Sequence, residues 1–237
     1  ALSGFEVLML DITKEKARKG LEKIYKILEK DFERGLIIKQ VLHDTKGRIK
    51  ISEDYKDLEA KNFIIEAIYE DLDIKSEALK TAEKFIKPDG IIASNTSTIP
   101  ISILASKIKN SERFIGIHFF SPVHKMKLVE IIKAKSTSSS TLEKALNFAK
   151  AITKTPIVVN DSPGFYTTRV FTKYPCEGMA MLDEGIKATS IENAGKKAGY
   201  PVGPLALSDE VNIALVGKIR KQILIYDDNS CIGPWDK

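Results

Sequence analysis

Three residues of this 237-residue chain have the types needed for proton transfer, and each ends, follows or interrupts an apolar run. They are Ser97 in Ser94-Asn95-Thr96-Ser97, His118 in Ile117-His118-Phe119-Phe120-Ser121-Pro122, and Glu130 in Leu128-Val129-Glu130. A histidine in such a run is most often a satisfied core residue, and a carboxylate between Val129 and Ile131 faces a large desolvation cost unless it is paired. Pairing the two answers both points. The carboxylate accepts one ring N–H, fixes the tautomer and leaves the other nitrogen to take a proton from a substrate hydroxyl. The competing reading leaves Glu130 facing solvent on an edge strand. Ser97 precedes Pro100 and a short helical stretch, so its hydroxyl and the nearby N–H groups are expected at the edge where a ligand binds. Capping alone also accounts for the Thr and Ser residues around it.

The elements that must position these groups alternate. Apolar runs at 5–10, 62–67, 91–94, 114–119, 127–133 and 156–160 read as strands, separated by helical patterns at 74–86, 101–108 and 141–152. Thr13 caps a further helix in which Leu21, Ile24, Leu28 and Phe32 recur at helical spacing. This order predicts an α/β doubly wound parallel sheet. After Ser162-Pro163-Gly164 only helices are expected, at 166–183, 190–198 and 205 to about 225, which places a domain boundary near Asp161–Pro163. The two domains are thus 1–162 and a smaller all-helical 163–237.

A carboxylate ending an early strand, as Asp11 does, is where a dinucleotide-binding fold holds the adenosine ribose hydroxyls, although an Asp there is more often a turn or cap residue. Glu70, Asp71 and Lys75 stand just past the next strand and also read as an ordinary helix start. The glycine-rich turn that should precede Asp11 by about 20 residues is not in the sequence. The sheet is therefore expected to lack its central first strand, leaving neighbours unpaired unless the 237 residues belong to a longer natural chain or other segments supply the pairing.

The excess of 37 basic over 32 acidic residues is mild; it would welcome a phosphate-bearing ligand without calling for nucleic acid. The Lys16, Lys19, Lys23 and Lys26 face reads as a solvated helix surface. Cys176 and Cys231 form neither a disulfide framework nor a metal-ligand pattern, which suits a reducing compartment. No apolar run approaches the roughly 18 residues of a membrane span.

Four blocks in order, Ala93-Ser94-Asn95-Thr96-Ser97, the His118 and Glu130 segments, Pro163-Gly164-Phe165-Tyr166-Thr167-Thr168-Arg169, and Gly199-Tyr200-Pro201-Val202-Gly203-Pro204, carry a resemblance. The chain resembles the L-3-hydroxyacyl-CoA dehydrogenase family, most closely the dehydrogenase region of multifunctional fatty-acid oxidation alpha subunits, from Leu2 to about Asn212. The resemblance implies a Rossmann-like domain followed by a helical one, and NAD-dependent oxidation of an L-3-hydroxyacyl-CoA to the 3-ketoacyl-CoA in β-oxidation. It implies that His118 is the base, that Glu130 orients it, and that Ser97 contacts substrate and cofactor. Asp11, Glu70, Lys75 and Ser121 are implied at the NAD site. Single-function members carry asparagine where Thr168 and Ser121 stand. Also implied are an acyl-CoA partner, a homodimer or a thiolase-containing multienzyme complex, and the cytoplasm, or the matrix or peroxisome of a eukaryote. A chain truly starting at Ala1 is expected to bind NAD weakly, having lost the N–H cradle of the pyrophosphate. The alternative is a non-catalytic, crystallin-like structural or cofactor-binding relative, or an inactive fragment, although retention of Ser97, His118 and Glu130 together speaks against it.

Overall fold

The computed structural model describes residues 1–59, 61–211 and 225–226. Strand β1 (Val7–Leu10) leads into α1 (Lys14–Glu33), which Thr13 opens by accepting the Lys16 N–H at 3.2 Å. Then come α2 (Lys39–Gly47), β2 (Ile49–Ser52), a 3-10 turn (Tyr55–Leu58), β3 (Phe63–Glu66), α3 (Leu72–Glu83), β4 (Ile91–Ser94), α4 (Ile101–Ala105), β5 (Phe114–Phe119), β6 (Leu128–Lys133), α5 (Ser139–Ala151) and β7 (Thr155–Asn160). Three helices follow, α6 (Thr167–Asp183), α7 (Ala188–Lys197) and α8 (Pro204–Val211). The helix expected from 205 to about 225 lies largely outside the described residues.

The strands form two sheets. β1 pairs in parallel with β2, Val7 opposite Ile49, and β3-β4-β5-β6-β7 form a five-stranded sheet in sequence order. Among the described residues no ladder joins β1 to β3. One aromatic ring spans the junction instead. Phe148 of α5 stacks on Phe63 at 4.5 Å and takes Phe5 edge-on at 5.7 Å.

Two features depart from the sequence expectation. Residues 34–61 supply α2, β2 and the 3-10 turn, none of which was expected; β2 reads Ile-Lys-Ile-Ser, too short for its period to show. The five-stranded sheet is also not wholly parallel, because β5 and β6 run antiparallel. Only residues 120–127 separate them, and a parallel return needs a dozen or more. No helix among the described residues is long and apolar enough to cross a membrane.

Side chains of this sheet alternate between two apolar layers. Ile91, Ala93, Ile115, Ile117, Val129 and Ile131 pack on Ala145 and Ala149 of α5. Ile92, Phe114 and Ile132 face the other way, onto Leu79 of α3, Ile101 and Leu104 of α4, and Phe165. Along this second face, stepping two residues from an apolar position reaches a polar one: Glu66, Ser94, His118 and Glu130. Gly116 lies on the same face, where α4 comes closest. A β-carbon there would stand 2.7 Å from Ile101 Cγ1 and 2.8 Å from Ile132 Cβ. Gly116→Ala is accordingly expected to destabilise the fold by about 1–3 kcal/mol, read as a lower urea midpoint at unchanged slope.

Candidate active site

In the antiparallel ladder His118 lies directly opposite Glu130, and opposite residues point to the same face. His118 Nδ1 is 2.7 Å from Glu130 Oε2. Because a carboxylate only accepts, Nδ1 carries the proton and Nε2 is the acceptor nitrogen. Glu130 is 0% and His118 8% exposed, and β6 lies between β5 and β7, so the solvent-facing reading of Glu130 falls. The second carboxylate oxygen, Oε1, accepts the N–H groups of Tyr166 (3.1 Å) and Thr167 (2.8 Å), which open α6. Burial pushes the Glu130 carboxyl up, but the bond from His118 and the Thr167 amide outweigh it and hold it below the ordinary value. The positive end of α6 acts in the same direction. Phe120 and Phe165 flank the imidazole, with ring centroids 4.7 and 6.0 Å away.

The loop after β4, which carries Ser97, is bonded to the strand of His118 through Asn95. Asn95 Oδ1 accepts the N–H of Phe119, the residue after His118, at 2.9 Å. Glu70 Oε1 accepts the N–H groups of Ser97 (3.1 Å) and Thr98 (3.2 Å), the Thr98 hydroxyl (2.9 Å) and the Thr96 hydroxyl. Further on, Asp161 accepts the N–H groups of Ile101 and Ser102 at 2.6 and 2.7 Å. Ser97 itself is half-buried. Burial raises the Glu70 carboxyl, yet the Thr96 hydroxyl and the Lys75 ammonium keep it below its usual range.

The remaining sequence-derived candidates fall in three places. Asp11 directly follows β1 of the other sheet, exposed, its carboxylate accepting the N–H of Ile12 at 2.7 Å. Ser121 is exposed in the loop after β5. Lys75 is 1% exposed, and Glu66 Oε1 (2.7 Å), Glu70 Oε2 (3.2 Å) and the Ile68 carbonyl (3.2 Å) surround its ammonium. It lies beneath the Glu70 rim. Sequence reasoning missed Glu66, the tie from Asn95 and the two α6 amides. For Glu66 a signal existed, since it ends the apolar run Phe-Ile-Ile-Glu as Glu130 interrupts its own.

Residues 1–162 match the model of the 3-hydroxyacyl-CoA dehydrogenase NAD binding domain, and residues 164–230 that of the 3-hydroxyacyl-CoA dehydrogenase C-terminal domain. The chain belongs to the 3-hydroxyacyl-CoA dehydrogenase family. It is 39% identical over 213 residues to the fatty acid oxidation complex subunit alpha of Pseudomonas aeruginosa (strain LESB58), covering 90% of this chain but 30% of that protein. Among solved structures, (S)-3-hydroxybutyryl-CoA dehydrogenase from Ralstonia eutropha superposes with a TM-score of 0.91 at 33% identity, over 95% of this chain and 80% of its own. The 3-hydroxybutyryl-CoA dehydrogenase of Escherichia coli K12 gives 0.90 at 29% identity, over 94% and 48%. The family is NAD-dependent, and its cofactor domain accounts for the first 162 residues.

Glu70 and Glu130 both hold folded-state values below the ordinary 4.5. The stability they contribute is complete above that value and is lost as pH falls through the lower folded values. Urea unfolding is expected to show stability falling with pH in that acid range. The gap between wild type and Glu130→Gln should be widest above 4.5 and narrow as pH falls.

Proposed function

We propose that this chain oxidises the 3-hydroxyl of an L-3-hydroxyacyl-CoA to the ketone with NAD, as one step of fatty acid β-oxidation. The observation that carries the reading is the buried His118–Glu130 pair beside the tethered Ser97 loop. NAD, when bound, takes up the hydride released from C3. The acceptors present suit it: the exposed Asp11 carboxylate directly follows a parallel strand, where ribose hydroxyls are held in doubly wound folds. Glu70, Ser97 and Ser121 would complete the contacts, with Lys75 supporting Glu70 from below.

His118 Nε2 withdraws the hydroxyl proton, and the resulting imidazolium then donates a hydrogen bond to the developing ketone oxygen. Glu130 keeps Nδ1 protonated throughout and stabilises the cation. Ser97 offers a second hydroxyl to the same oxygen. Residues 1–162 form the cofactor domain on this reading, and the helices α6 to α8 belong to a second domain that follows it. The alpha-subunit relatives support a place in a fatty acid oxidation complex and, being bacterial, in the cytoplasm.

Acetoacetyl-CoA with NADH tests this in the reductive direction, followed by loss of nicotinamide absorbance. Wild type should turn over, and His118→Gln should lower kcat by about 10²–10⁴-fold. Wild-type and variant proteins that are equally inert would refute the reading in favour of a non-catalytic relative.

A further inference from the structure

We propose that Glu66 is a positioning residue that holds the Ser97 loop in register with His118, acting through Ser94 and Lys75; its catalytic consequence rests on the dehydrogenase reading above. Glu66 is the last residue of β3, 6% exposed, and lies opposite Ser94 in the parallel ladder. Its Oε1 accepts Lys75 Nζ at 2.7 Å and the Ile68 N–H at 2.7 Å, while Oε2 accepts the Ser94 hydroxyl at 2.6 Å. Ser94 Oγ in turn accepts the Thr96 N–H at 3.3 Å, and the Glu66 carbonyl accepts the Asn95 N–H at 2.8 Å. The start of the loop is thus fixed from Glu66 by both main chain and side chain.

The end of the loop is fixed from Glu70, and Lys75 joins the two carboxylates. Its ammonium is 2.7 Å from Glu66 Oε1 and 3.2 Å from Glu70 Oε2. Glu70 Oε1 then holds Thr96, Ser97 and Thr98. A lysine with 1% exposure between two carboxylates sets the distance between them, because leaving either oxygen or the ammonium unpaired there is costly. Glu66 therefore stands three bonded steps from Ser97, through Lys75 and Glu70. On the other side Asn95, bound to the Glu66 carbonyl, reaches the Phe119 N–H beside the base. Misplacing a reacting group by about 1 Å can cost on the order of 10²-fold, so this frame bears directly on rate.

A Glu66 that only neutralised Lys75 would leave the loop untouched when its link to Ser94 is cut. The two roles separate in Glu66→Gln and Ser94→Ala, the second of which keeps the Glu66–Lys75 ion pair. Amide hydrogen exchange of the unliganded 237-residue chain gives a readout independent of activity. The Thr96, Ser97 and Thr98 amides should exchange at least about tenfold faster in both variants, with β5 and β6 amides as slow as in wild type. With acetoacetyl-CoA and NADH, kcat should fall by about tenfold or more while the shape of its pH profile stays that of wild type. Unchanged loop exchange in folded Ser94→Ala would overturn the proposal, and that variant decides alone if Glu66→Gln does not fold. An inert wild type would sink the dehydrogenase reading, and the exchange result would still decide the role of Glu66.

Discussion

One carboxylate ties the parts of this protein together. Glu130 is fully buried, and each of its oxygens serves a different element: Oε2 the imidazole of β5, Oε1 the first amides of α6. An unpaired charge at this depth would be prohibitive, and removing one partner of such a pair commonly costs about 3–5 kcal/mol. β5, β6 and the start of α6 are therefore constrained to one another by a single side chain. Its charge is kept by its partners, because the bond from His118 and the α6 amide together outweigh the burial that would neutralise it. The same charge that ties these elements fixes the imidazole tautomer through Nδ1.

Glu70 repeats this arrangement at the other side of the loop. Both acids gather main-chain N–H groups at the start of a segment, and both are held below their ordinary values. Period-2 alternation explains why they can meet at all. Ile92, Phe114 and Ile132 form an apolar layer against α3 and α4, and same-face positions further along each strand fall beyond that layer. Glu66, Ser94, His118 and Glu130 occupy those positions and pair in register, Glu66 with Ser94 and His118 with Glu130. A shift of one residue in any of these strands would turn its polar group into the α5 layer.

The sequence was most informative where strands are buried on both faces. The run 114–119 was read to the residue, and 127–133 differs from β6 only at its first position, since near-continuous apolar runs bounded by turns leave little choice. The His–Glu pair was legible for the same reason: a carboxylate inside an apolar run demands a partner. Residues 34–61 were not legible, because β2 is four residues long and contains Lys50, so no period develops. The antiparallel turn between β5 and β6 was hidden by treating alternation as a rule rather than counting the short connection. Glu66 escaped because its partners, Lys75 and Ser94, lie 9 and 28 residues away, and strand order rather than spacing brings them together.

The His118–Glu130 pair and Asp11 thus lie on different sheets. His118, Glu130 and the bonds that hold the Ser97 loop fall within β3 to β6 and the start of α6. Asp11 directly follows β1 of the β1–β2 pair, which shares no ladder with the larger sheet among the described residues. What relates the two includes apolar packing, with Phe148 between Phe5 and Phe63. Ladder hydrogen bonds fix register, whereas contacts of this kind fix only proximity. The placement of His118 is therefore set by directional bonds to a buried charge, while the relation of the β1–β2 pair to the larger sheet depends on softer contacts. A junction of this softer kind leaves the His118–Glu130 bond to its own directional partners, His118 Nδ1 on Oε2 and the α6 amides on Oε1.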